Sequence, residues 1–256
     1  MSARDVHVER GRLTVGPAAA VSTLLMRGVE PSRLCVLAHG AGAGMEHPFM
    51  RAMAERLAAH GIATFRYQFP YTESGRRRPD PPALLQATVR AAVEAAGRHG
   101  LPLLAGGKSM GGRMTSLAAS EAPLPGVEGL VFLGFPLHPA GQPASKRGEH
   151  LGRTGLPMLF LQGTRDALAD LTLLEPLCRK LEAATLHVVE GADHGFHVPK
   201  RSGRTDAEVI EDLAAKVASW AAAQPRAPIA AAACSPQRDS SSQRTKSSAD
   251  TGREKR

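Results

Sequence analysis

Six short apolar runs, five of them followed by a stretch of helical periodicity, divide most of this chain into strand–helix units. The runs are "RLCVLAHG", "IATFRY", "LPLLAGG", "GLVFLGF", "PMLFLQG" and "TLHVVEG". Near-continuous apolar strands alternating with amphipathic helices form a mostly parallel central sheet with helices on both faces. Phe49, Met53 and Leu57 recur four apart in "HPFMRAMAERLAAHG", which puts them on one helical face. "LLQATVRAAVEAAGRHG", "MGGRMTSLAAS" and "LTLLEPLCRKLEAA" supply further helices. A last helix over about 206–222 opens on a T-x-x-E capping box, Thr205 with Glu208, and carries Val209, Leu213, Val217 and Trp220 on one face. Ahead of these units, "VHVERGRLTVG" and "AVSTLLMRG" read as antiparallel strands extending one edge, and no internal repeat of fixed period occurs.

A chain of 256 residues and 27.0 kDa fits one large α/β domain. We place that domain at 1–223. From 224 to 256 the chain turns Ser-, Arg- and Ala-rich, with seven Lys/Arg against Asp239, Asp250 and Glu254; this composition predicts a disordered basic tail. Much of the net charge of +8 sits there, so the basic balance is not read as nucleic-acid binding. Cys35, Cys178 and Cys234 are scattered, without metal-ligand spacing, and read as reduced thiols. The N-terminus has no apolar signal region, and "APIAAAAC" is far shorter than a membrane span. A soluble cytoplasmic protein is expected, with no metal and no cofactor; the oligomeric state is left open.

In such a sheet, ligands bind beyond the carboxyl ends of the strands. The segment "LLAGGKSMGGR" lies at one of these ends and fits two chemistries. A phosphate-binding loop would need glycine five positions before Gly107, but Pro102 is there, without an N–H to offer a phosphate. The alternative is G-x-S-x-G, Gly107 to Gly111, in which small residues permit a sharp strand-to-helix turn that exposes the Ser109 hydroxyl. A serine nucleophile needs a base, and the base an orienting acid. In chain order Asp166 of "QGTRD" and His194 of "GADHGF" follow on later strand ends. Asp170 is the nearest substitute for the acid; His187, His197 and His138 compete with His194.

An oxyanion formed at the serine needs two fixed donors. One is the N–H of Met110, at a helix N-terminus, and the other comes from the loop His39-Gly40-Ala41-Gly42-Ala43-Gly44, where Ala41 and then Gly42 are the candidates. His39, Gly40, Lys108 and His138 are the expected substrate contacts.

These motifs, "LAHGAGAG", "GGKSMGG", "QGTRD" and "GADHGF", resemble the α/β-hydrolase superfamily from about Leu34 to Trp220. The chain is most similar to the compact dienelactone-hydrolase-like branch, and there to bacterial hydrolases related to the testis-expressed and chromatin-complex hydrolase-like proteins. "FRYQFPYTESGRRRPDPP" and "LGFPLHPAG" resemble that group's loops. The resemblance implies the α/β-hydrolase fold, with Ser109 as nucleophile, His194 as general base and Asp166 as orienting acid. Dienelactone hydrolases use cysteine as nucleophile, so their substrate does not carry over to Ser109. Some relatives act as interaction modules, so an idle binding scaffold is the alternative to an enzyme.

About twenty residues separate Phe135 from Leu156, too few for a large lid domain. The expected reaction is therefore cleavage of a small-molecule ester or thioester through an acyl-enzyme, faster as the pH rises through roughly 6–7 because the base must be neutral. Arg76, Arg77, Arg78, Lys146, Arg147, Lys200 and Arg201 lie in loops, where the first reading is a solvated surface and the alternative a basic rim favouring an anionic substrate.

Overall fold

The computed structural model describes residues 6–16 and 19–224. Two antiparallel strands, β1 (His7–Val15) and β2 (Ala19–Arg27), begin the chain. The alternating part follows: β3 (Arg33–Ala38), α1 (Pro48–Ala59), β4 (Ile62–Tyr67), α2 (Pro70–Glu73), α3 (Pro82–Gly97), β5 (Leu103–Lys108), α4 (Met110–Glu121) and β6 (Val127–Leu133). It ends with β7 (Met158–Gly163), α5 (Leu171–Lys180), β8 (Ala184–Val189) and α6 (Asp206–Ala223). The eight strands form one sheet in the order β1-β2-β4-β3-β5-β6-β7-β8, parallel from β4 through β8. The expected edge of two antiparallel strands is present, with β2 pairing β4.

Period-two alternation explains why the central strands are apolar throughout. In β3, Leu34, Val36 and Ala38 enter one core and Cys35 and Leu37 the other; in β7, Met158 and Phe160 divide from Leu159 and Leu161 in the same way. The first core is closed by Leu85, Val89 and Val93 of α3, Met114 and Ala118 of α4, and Leu174 of α5. The second is closed by Met50, Met53 and Leu57 of α1 and by Val209, Leu213, Val217 and Trp220 of α6. Each central strand, β3 to β7, is thus buried on both faces, and its loop is left at the carboxyl end of the sheet.

Local differences from the sequence reading have physical reasons. Residues 70–73 form a one-turn helix begun by Pro70, too short to register as a period. Helix α5 stops at Lys180 rather than running on through Ala184, and residues 181–183 carry the chain directly into β8. Between β6 and β7, residues 134–157 hold only the short 3-10 turns Lys146–Gly148 and Leu151–Arg153, and no lid. Among the described residues no helix is long and apolar enough to cross a membrane. Gln224 accepts a hydrogen bond from Arg33 through its backbone oxygen; the rest of the segment read as a basic tail lies outside the described residues.

Helix α6 separates the weight of capping from that of packing. Thr205 and Glu208 form the reciprocal capping box, whereas Leu213 is fully buried in the second core. Thr205→Ala should cost about 1 kcal/mol, and Leu213→Ala about 2–5 kcal/mol. Urea denaturation followed by far-UV circular dichroism measures both; equal losses would contradict this division.

Candidate active site

The turn from β5 into α4 sets the position of Ser109. Its backbone lies at φ 52°, ψ −118°, outside the regions that L-residues favour. The two flanking glycines let the turn press against the end of β3. A Cβ at position 107 would stand 2.2 Å from the Ala38 carbonyl oxygen, and one at 111 would stand 2.6 Å from the carbonyl oxygens of Ala38 and His39. The Ser109 N–H donates to the Leu133 carbonyl at 3.1 Å, tying the turn to β6.

Ser109 Oγ lies 2.8 Å from His194 Nε2, and His194 Nδ1 lies 2.7 Å from Asp166 Oδ2. The Asp166 side chain is fully buried while the His194 ring is 27% exposed. Asp166 is held by two further donors, Leu168 N–H to Oδ1 at 2.8 Å and Gln162 Nε2 to Oδ2 at 2.5 Å. Gln162, buried at the end of β7, in turn accepts the Phe135 N–H at 2.9 Å. The sequence reading missed Gln162; the only signal is one polar residue closing the apolar run "LFLQG".

The rival residues are engaged elsewhere. Asp170 is the N-cap of α5, with Oδ1 accepting from Thr172 N–H. His197 pairs with Asp206 at 2.8 Å, which raises it above the ordinary imidazole value first through that hydrogen bond. His187, on β8, lies 3.3 Å from Asp212. A second serine–histidine contact, Ser116 Oγ to His150 Nε2 at 2.7 Å, is of another kind. Ser116 is fully buried, and among the described residues its histidine pairs with no carboxylate; burial, then Arg113 and Arg153, push His150 down to about 4.

A cavity of about 190 Å³ opens over Ser109, with Gly40, Ala41, Ala43, Phe49 and Met50 in its wall. Ala41 lines it and Gly42 does not; Gly42, at φ 72°, makes the turn closed by Ala43 N–H to Gly40 O at 3.3 Å. Met110 is the first residue of α4, where a helix leaves its N–H without an intrahelical acceptor. The 39–47 loop is pinned from β4 by Arg66, which donates to the Met45 carbonyl at 2.9 Å, and by Gln68 just beyond, which accepts the Met45 N–H at 3.1 Å.

Three of the expected substrate contacts behave differently from expectation. His39 is fully buried; Nδ1 donates to the Gly40 carbonyl at 2.8 Å and Nε2 accepts the Phe69 N–H at 3.2 Å, and burial pushes it down to about 4. His138 likewise spends both nitrogens on backbone, at Pro139 O and Asp170 N–H, and lines a different cavity. Lys108 borders the Ser109 cavity, but its ammonium turns back to donate to the His194 carbonyl at 2.5 Å, with Phe49 and Phe196 flanking it at 5.9 and 5.4 Å. Burial pushes Lys108 down to about 8, against the opposing pull of Asp166 and Asp193.

The alternative of a basic rim is not realised around Ser109. None of its seven residues lines that cavity, and Arg76 is paired with Asp80 at 2.6 Å. Among the described residues no group of three or more His, Cys, Asp or Glu is arranged to hold a metal ion.

Solved structures share this architecture. A dienelactone hydrolase from Anabaena variabilis superposes with a TM-score of 0.67 at 20% identity, over 87% of this chain and 100% of that one. A serine hydrolase without a lid from Xanthomonas campestris gives 0.65 at 20% identity, over 87% and 97%. The esterase domain of a Rhodothermus marinus protein gives 0.66 at 15% identity, over 85% and 99%. At these identities the likeness is one of fold. The model of the alpha/beta hydrolase domain matches residues 31–222, and the chain belongs to that family.

Proposed function

We infer that this chain is a serine hydrolase that cleaves a small ester or thioester through an acyl-enzyme. The observation that carries this reading is the unbroken line of hydrogen bonds from buried Asp166 through His194 to Ser109. His194 Nε2 takes the serine proton as Oγ attacks the substrate carbonyl, and Asp166 holds the ring with Nδ1–H towards it and stabilises the imidazolium. The N–H groups of Met110 and Ala41 receive the oxyanion. Collapse of the tetrahedral species expels an alkoxide or thiolate, which takes the proton from Nε2. Water, deprotonated by the same nitrogen, then frees the acid. The small apolar cavity formed by Ala41, Ala43, Phe49 and Met50 suits a short acyl group.

Intact-mass labelling with a fluorophosphonate tests the reading. Wild type should gain one adduct, Ser109→Ala none, and His194→Ala should label slower by a factor of at least a hundred. Asp166→Asn should keep the fold and lower turnover by about 10³–10⁴, since the amide favours the wrong tautomer. A folded wild type without an adduct would refute the activated serine.

In this reading Lys108 is a positioning residue that holds the backbone of His194. Unfolded, its amine titrates near 10.5; folded, at about 8. Below pH 8 both states hold the proton, and between the two values only the unfolded state does, so unfolding becomes costlier as pH rises. The stability of wild type relative to Lys108→Met should be flat up to pH 8 and rise between 8 and 10.5. Urea denaturation of both proteins at pH 7, 8, 9 and 10 gives the difference; parallel curves would mean that the folded ammonium does not titrate in this window.

A further inference from the structure

On the far side of α4 from β5, a second and larger cavity of about 630 Å³ shares no lining residue with the one over Ser109. It lies between α4, the loop after β6 and the two 3-10 turns that precede β7. Arg113, Lys146, Arg147 and Arg153 line it together with His150. Among the described residues none of these four cations forms an ion pair with a carboxylate; Glu149, also in the wall, is exposed and makes none. Arg113 is half-buried, and its Nε is a buried donor without an acceptor.

These like charges act on one another. Arg113 is lowered first by burial and then by Arg147, while His150 feels both Arg113 and Arg153. A fold that gathers uncompensated guanidinium groups in a concave site carries a standing repulsion, which an anion of matching shape relieves. Guanidinium forks fit the oxygens of a phosphate, several of which they can engage together. The wall also carries an apolar part, Leu117, Leu137 and Pro139, beside the polar His138, Gln142 and Glu149. The volume is far more than a bare oxyanion fills.

We propose that this cavity binds a small organic phosphate, the phosphoryl group between Arg113, Arg147 and Arg153 and the organic body against Leu117, Leu137 and Pro139. The site is independent of the chemistry at Ser109, because its cations stand apart from the triad. It also accounts for Lys146 and Arg147, which the sequence suggested as a substrate rim and which instead face this second space.

Calorimetric titration of the full chain with 1-naphthyl phosphate, 1-naphthol and inorganic phosphate, at low and at moderate salt, tests the assignment. Naphthyl phosphate should bind at one site, more weakly as salt rises, and at least tenfold more weakly to the Arg147→Gln/Arg153→Gln variant. Naphthol should not bind measurably, and inorganic phosphate should bind more weakly than its naphthyl ester. Absence of saturable binding to folded wild type, or unchanged affinity in the double variant, would overturn the site. Equal affinity for phosphate and its ester would overturn the role of the apolar wall. Fluorophosphonate labelling of the same preparations keeps the two readings apart: a protein that binds naphthyl phosphate but does not label retains this site and loses the triad, and the reverse result does the opposite.

Discussion

The conformation of Ser109 is the constraint to which the rest of the site answers. A non-glycine residue at φ 52°, ψ −118° costs on the order of 1–3 kcal/mol and persists only where its surroundings over-determine it. Here the strand before it is buried between β3 and β6, the helix after it packs into the first core, and its own N–H is bonded to Leu133. The approach of the turn to the Ala38 and His39 carbonyl oxygens leaves no room for a Cβ at 107 or 111. Ser109 lines the cavity from this turn, and Met110 follows it as the first residue of α4.

The proposed reaction needs the partner of Ser109 to be held as firmly. His194 sits in a tight loop whose geometry comes from Asp193: Oδ1 accepts the N–H groups of Gly195 and His197, and Phe196 adopts φ 65°. Lys108 bonds the His194 carbonyl, while Asp166 bonds the ring. A buried carboxylate is costly unless its oxygens are satisfied, and Asp166 has three partners, His194, Gln162 and Leu168 N–H. The chain of bonds from Phe135 through Gln162 therefore supports Asp166 from β7, while β8 and its following loop supply His194.

The fold was legible because continuous apolar runs, as in β3 and β7, take turns with helical spacing, as in α1 and α6. A run without polar positions describes a strand buried on both faces, and the four-residue spacing a helix buried on one. Ser109, Asp166 and His194 were legible because chain order assigns them to separate strand ends that the sheet brings together. His39 and His138 were misleading for a shared reason: imidazole near a strand end suggests contact with substrate, whereas a buried ring with two backbone partners is a structural tie that residue type alone cannot reveal. Lys108 is adjacent to the serine in sequence, yet its direction depends on the rings of Phe49 and Phe196, which come from α1 and the loop after β8. Gln162 shares the parity of Met158 and Phe160, and its value becomes visible only once Asp166 folds back over it.

The separation of the two cavities has an electrostatic logic. In the proposed reaction positive charge develops on His194, so a guanidinium lining the Ser109 cavity would oppose that step. Among the described residues, Lys108 is the one Lys or Arg that lines the Ser109 cavity, and Asp166 and Asp193 act on its ammonium with opposite charge. The arginines stand instead around the larger cavity on the far side of α4. Ser109 N-caps this helix and Arg113 follows it by one turn, with the Arg113 N–H bonded to the Ser109 carbonyl. One helix can therefore border both sites, with Ser109 at its start in the wall of one cavity and Arg113 in the wall of the other.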